Sequence, residues 1–182
     1  MDEQFEFLRT IVRRLDEAGV PYMLTGSLAL AIWARPRMTR DVDVVIEADA
    51  AAVQRVVDAF ATDCYVSPEA AAVAAAERSI FNVIHLTSLL KVDFIVRRDE
   101  PYERAKFARR RLLELDGLHA AVISPEDLIL SKLRWASGTG SARQEEDVRL
   151  LLRDVAGLDT RYLDEWAAAL HLTNALQEAR KP

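Results

Sequence analysis

The segment Asp41-Val-Asp-Val-Val-Ile46 constrains this chain more than any other. Its alternation and β-branched residues predict a strand, and a strand sends successive side chains to opposite faces. Asp41 and Asp43 therefore project from one face, with Cα atoms about 6–7 Å apart. Val42, Val44 and Ile46 project from the other, into apolar packing. Two carboxylates so placed repel one another unless a cation or solvent compensates. Magnesium, with manganese as the alternative, suits such a pair, because it prefers oxygen ligands and also takes substrate phosphates. For an isolated Asp-x-Asp the competing reading is a solvated strand face.

Three neighbours favour the chemical reading. In Lys91-Val-Asp-Phe-Ile-Val96, Val92, Phe94 and Val96 take the apolar face and leave Lys91, Asp93 and Ile95 on the other. A third acid in mid-strand, beside a strand carrying two more, suits a metal-assisted phosphoryl-transfer site. Thr25-Gly-Ser27 ends one predicted strand and opens a helix. A glycine lets backbone approach a phosphate closely, and the helix N-terminus offers N–H groups to an anion. Finally, Arg35-Pro-Arg-Met-Thr-Arg40 leads directly into Asp41, where Arg40 in particular is placed to bind phosphate or pair with the acids.

The remaining pattern is that of a mixed α/β core followed by helices. Phe5, Leu8, Val12 and Leu15 recur at helical spacing before Gly19 and Pro21 stop that helix, and residues 22–25 read as a short strand. Val53, Val56, Val57 and Phe60 mark a further helix, and 68–78 is helical by its alanine content. Residues 80–86 and 90–96 have strand character, with an antiparallel turn at Thr87-Ser88. A second hairpin is expected around Asp116-Gly117, joining 111–115 to 119–122. Ser124-Pro-Glu-Asp127 is a strong helix start, with a capping serine, proline at the first helical position and two acids at the positive end of the dipole. Three helices follow, over 128–135, 148–155 and 163–170. The 182 residues, 51% of them hydrophobic, suffice for one core. Residues 1–122 are expected to form that core, and 123–182 a helical region.

Bulk charge and composition bound the setting. A net charge of −5 disfavours coating of duplex nucleic acid. Between Arg97 and Arg111, however, seven basic residues face three acidic ones, which predicts either a solvated face or an electropositive rim for a phosphate-bearing ligand. Cys64 is the single cysteine, so neither an intramolecular disulfide nor a cysteine-based zinc site can be assembled. With no basic-then-apolar leader and no apolar run of membrane length, a cytoplasmic location without membrane contact is expected. Gly138-Thr-Gly-Ser141 lacks the Lys-Ser/Thr of a P-loop and reads as a flexible connector. His85, His119 and His171 lack ligand spacing, and Trp33, Trp135 and Trp166 fall on predicted helices, where core packing is expected.

Gly26-Ser27, a short helix and loop, Asp41-Val-Asp43 on a strand and Asp93 on a later strand together resemble the nucleotidyltransferase superfamily. The tail, Ser124-Pro-Glu-Asp-Leu128 followed by Lys132-Leu133, a Gly-rich loop and Asp147-Val148, resembles small AbiEii-like nucleotidyltransferases of toxin–antitoxin and phage-defence systems. The resemblance spans roughly residues 19–166. It implies a nucleotidyltransferase-fold mixed sheet flanked by helices, with a C-terminal helical extension. It further implies a triphosphate on Gly26 and Ser27, and divalent metal on Asp41, Asp43 and Asp93. Lys132 and Asp147 match a lysine and an acid of the relatives' active sites. One departure stands out: relatives often carry a basic–acidic pair four and three residues before that last acid, where this chain has Arg143-Gln144.

The activity so implied is metal-dependent transfer of a nucleoside monophosphate from an NTP to an acceptor that is RNA, protein or a small molecule such as an aminoglycoside. Asp93 would complete the metal site or act as general base toward the acceptor. The alternatives are a non-catalytic partner on the same fold, within a toxin–antitoxin pair with a cognate protein, and hydrolysis of a phosphate ester.

Overall fold

The computed structural model of the chain describes residues 2–34 and 41–181. The arginines and Thr39 of the 35–40 segment, Arg40 included, lie outside the described residues. The element order is α1 (Asp2–Glu17), β1 (Tyr22–Thr25), α2 (Gly26–Trp33), β2 (Asp41–Ile46), α3 (Ala50–Phe60), β3 (Cys64–Val66), α4 (Pro68–Glu77), β4 (Ile80–His85) and β5 (Lys91–Val96). Then come α5 (Pro101–Ala108), β6 (Arg111–Leu115), β7 (Leu118–Val122), α6 (Pro125–Thr139), α7 (Ala142–Asp154), α8 (Thr160–Ala169) and α9 (Thr173–Ala179). The mixed α/β class and the helical tail agree with the expectation from sequence.

The strands form one sheet in the order β3-β4-β5-β2-β1-β7-β6. β2 and β5 run parallel in its middle, and β1 and β4 flank them antiparallel. Side-chain alternation sorts the two faces. Val42, Val44, Val92, Phe94 and Val96 are buried on one face, where Phe94 meets Phe60 of α3 edge-on and stacks on Phe81 of β4. Asp41, Asp43, Asp93 and Ile95 occupy the opposite face, on the side of α6.

Local chemistry explains the turns. Asp116 and Gly117 both have positive φ (48° and 76°), the requirement of the tight turn that closes β6 on β7. The β4–β5 connection has no such dipeptide. There His85 Nδ1 and Ser88 Oγ lie 2.8 Å apart, and Leu89, at φ 56°, donates its N–H to the His85 carbonyl. Ser124 Oγ accepts the Asp127 N–H at 3.1 Å and starts α6.

Several expectations need correction. β3 is too short to carry an alternation signal and is held by pairing with β4. α9 is likewise absent from the sequence reading. Gly138 and Thr139 are not connector but the end of α6, which Gly140 closes at φ 67°. Trp135 is not core: it is 59% exposed. No described helix is long and apolar enough to cross a membrane.

Candidate active site

The parallel pairing of β2 and β5 places Asp41 opposite Lys91 and Asp43 opposite Asp93. Neighbouring strands lie about 4.8 Å apart, so the register turns an i, i+2 pair and a distant acid into one row. Lys91 stands among them: its Nζ is 3.0 Å from Asp93 Oδ2 and 3.8 Å from Asp41 Oδ2. On the far side of Asp93, Asn82 of β4 is its direct cross-strand neighbour and donates its amide to Oδ1. Nothing in the sequence singled out Asn82 or the role of Lys91, because both depend on which strands become neighbours.

Asp43 is partly buried, whereas Asp41 is exposed. Burial raises its pKa, and the charges of Asp93 and Asp41 raise it further, against partial relief from Lys132 and Lys91. Its carboxylate is pressed against the β1–α2 turn. A Cβ on Gly26 would lie 1.8 Å from Asp43 Oδ2 and 2.6 Å from its Cγ, and Gly26 sits at φ 64°. Both facts demand glycine there. Ser27 follows as the next residue of α2, and Thr25 makes no side-chain cap to that helix. The first N–H groups of a helix have no partner within the helix itself.

The second wall comes from the helical tail. Lys132 Nζ donates to Asp147 Oδ2 at 2.7 Å and to Gln144 Oε1 at 2.9 Å, and Lys132 and Asp147 are both buried. Gln144 stands where relatives often carry an acid, so among the described residues a neutral acceptor joins Asp147 on the lysine. Leu128, Ser131, Lys132 and Trp135 share one stripe of α6 by their helical spacing. That stripe faces Gly26, Ser27, Asp43 and Asp93 across a cleft of about 560 Å³.

The basic run at Arg97–Arg111 is neither a plain solvated face nor a bare electropositive rim. Arg97 pairs with Glu47 at 2.5 Å, Lys106 with Glu103 at 2.6 Å and Arg104 with Asp99 at 3.0 Å, while Arg109 and Arg111 approach Glu126. Arg97, Arg98 and Lys106 also line the cleft.

Oxygen donors alone make up the row of aspartates, which is the chemistry of a hard divalent cation. The Lys91 ammonium already stands between Asp41 and Asp93 as such a cation would. Among the described residues no three acids gather about one point, because Asp93 is turned to Lys91 and Asn82. The donor set fits a divalent metal once Lys91 yields its place.

A family model described as nucleotidyl transferase AbiEii toxin, Type IV TA system, matches residues 9–179. None of the curated proteins compared matches significantly. Among solved structures, an antigenic nucleotidyltransferase-like protein from Paracoccidioides brasiliensis superposes with TM-score 0.63 at 17% identity, covering 98% of this chain and 92% of that one. ANT(2")-Ia, solved in complex with adenylyl-2"-tobramycin, superposes with TM-score 0.64 at 15% identity, over 93% of this chain and 97% of that one. The lincosamide antibiotic adenylyltransferase LnuA, lincomycin-bound, gives TM-score 0.56 at 14% identity, over 84% and 97%. At these identities the structures share the fold.

Proposed function

The chain belongs to the AbiEii nucleotidyltransferase family, and from that premise we propose that it transfers a nucleoside monophosphate from an NTP bound in the cleft between the sheet and α6 to an acceptor hydroxyl. The observation that carries this reading is the Asp43 carboxylate seated against Gly26, with Asp93 directly beside it. Acids packed onto a glycine turn at a helix start put metal ligands and a phosphate cradle within one ligand's reach.

Each residue has a task in that scheme. Gly26 and Ser27 take the triphosphate at the start of α2. Lys132, fixed by Asp147 and Gln144, presents positive charge to the phosphates from the opposite wall. Asp41, Asp43 and Asp93 would hold magnesium or manganese, which when bound supplies positive charge to the phosphoryl oxygens. The acceptor oxygen attacks the α-phosphorus, the bond to the β-phosphate breaks, and pyrophosphate leaves. Asp93 receives the acceptor's proton. Asn82 donates to its Oδ1, so its carboxylate is oriented before substrate arrives. The acceptor is RNA, protein or a small molecule, and the family's description supports a role within a toxin–antitoxin pair with a cognate partner.

Calorimetric titration of each NTP with magnesium into the wild type and an Asp41→Ala/Asp43→Ala variant tests the scheme. Binding that the variant loses is the expected result. Absence of binding to every NTP by the folded wild type would instead indicate a non-catalytic partner.

A further inference from the structure

The cleft floor changes character along the strands. The row of Asp43 and Asp93 is followed, two residues on and about 7 Å further along, by Val45, Ile95 and Ile80, which the strand pairings set side by side. This second row has no charge. Ile80, the first residue of β4, is 52% exposed. Above the floor runs the α6 stripe, in which Trp135 lies three residues beyond Lys132, a rise of about 4.5 Å along the helix. Trp135, 59% exposed, thus lines the same cleft as Val45, Ile95 and the exposed Ile80, together with Asp43, Asp93 and Lys132.

An exposed tryptophan leaves apolar surface in water, and a slot of this kind matches a flat ring with two apolar faces. The direction of approach identifies which ring. In-line transfer brings donor and acceptor to the acids from opposite sides. Among the described residues, Asp41 and Lys91 are outside the cleft lining and half-exposed at the starts of β2 and β5, which sets that edge apart from the cleft. The cleft side carries Gly26, Ser27 and Lys132, the groups suited to a triphosphate. A molecule whose phosphates lie there extends naturally along α6 to Trp135.

We propose that Trp135 and the Ile80–Ile95 floor form the base subsite of the donor nucleotide, leaving the Asp41–Lys91 edge to the acceptor. This rests on the reading of the site as a nucleotidyltransferase. Base–aromatic stacking tolerates any base, so the subsite adds affinity without selecting strongly among NTPs.

The test compares NTPs with inorganic tripolyphosphate, which has the phosphates and no ring. Each is titrated with magnesium into the wild type, Trp135→Ala and Trp135→Phe. Trp135→Ala is expected to weaken every NTP about tenfold or more while tripolyphosphate changes less than twofold. Trp135→Phe keeps most of the NTP affinity. NTP also quenches tryptophan emission in the wild type, and Trp135→Ala removes that quenching. Unchanged NTP affinity in Trp135→Ala, or equal weakening of both ligands, overturns the subsite while leaving the phosphate site standing. A wild type that binds neither ligand overturns the nucleotidyltransferase reading itself, and the subsite with it.

Discussion

Two acid clusters in this molecule face similar costs and meet them in opposite ways. At the start of α6, Glu126 and Asp127 are buried side by side. Burial raises the pKa of Asp127, but Ser124 donates to Oδ2 at 2.7 Å and Tyr162 to Oδ1 at 2.8 Å, and Arg109 stands 3.6 Å away; all three pull it back. Arg109 in turn lies over the Tyr162 ring, 3.8 Å from its centroid, and Glu126 accepts the Asp159 N–H at 3.0 Å. This network ties α5, α6 and α8 together. Burial raises Asp43 too, but the next contributions, from Asp93 and Asp41, push the same way. A buried acid with matched donors is scaffold. One whose neighbours add to its cost is a candidate for binding a cation.

The largest effect that separates the clusters is catalytic. Asp43→Ala should lower transfer of labelled nucleotide by at least about a thousandfold, the scale of losing a group that stabilises transition-state charge, while the protein stays folded by circular dichroism. Asp127→Ala should do the reverse. It orphans Ser124, Tyr162 and Arg109 together, so a loss of about 2–4 kcal/mol in denaturant unfolding is expected, with NTP affinity nearly intact. A destabilised Asp43→Ala, or a stable Asp127→Ala, would break the distinction.

Gly26→Ala probes the contact between the turn and Asp43. The added Cβ meets Oδ2 at 1.8 Å and the backbone stays at positive φ, so the carboxylate must move. NTP affinity and turnover should fall by about tenfold to a hundredfold, with a stability loss of about 1–3 kcal/mol. Lys91→Gln removes the resident cation. Its Mn2+ affinity should rise about fivefold to tenfold by calorimetry, since the metal no longer displaces an ammonium; unchanged affinity would show that Lys91 does not compete.

The smallest effect sharpens the comparison by pH. A raised folded pKa means that the ionised Asp43 costs stability. That cost is fully present above the folded value and fades as pH falls through it toward the unfolded value. Asp43→Asn should therefore melt about 2–4 °C higher than the metal-free wild type near pH 7.5. The gain should shrink as the pH is lowered toward 4. A gain independent of pH would assign the effect to something other than charge.

Much of this site is legible in the chain itself. The alternation in 41–46 and 91–96 assigns Asp41, Asp43 and Asp93 to polar faces, because a strand's two-residue period is a local property. The glycine of Thr25-Gly-Ser27 and the cap at Ser124 are equally local. Other elements escaped for stated reasons. β3 and α9 are short and exist through their partners. Trp135 reads as core from its place on a predicted helix, yet it lines the cleft beside Lys132.

The sequence by itself determined the strands, their acidic face, the helix starts and the family resemblance, since each rests on periodicity or on a few adjacent residues. Only the tertiary structure decided that Asp43 pairs with Asp93 in parallel register, that Lys91 and Asn82 occupy Asp93, that Asp43 fills the space a Gly26 side chain would need, and that Gln144 and Asp147 share Lys132. Those facts depend on strand order and on how α6 lies against the sheet, which are set by long-range packing of many side chains at once.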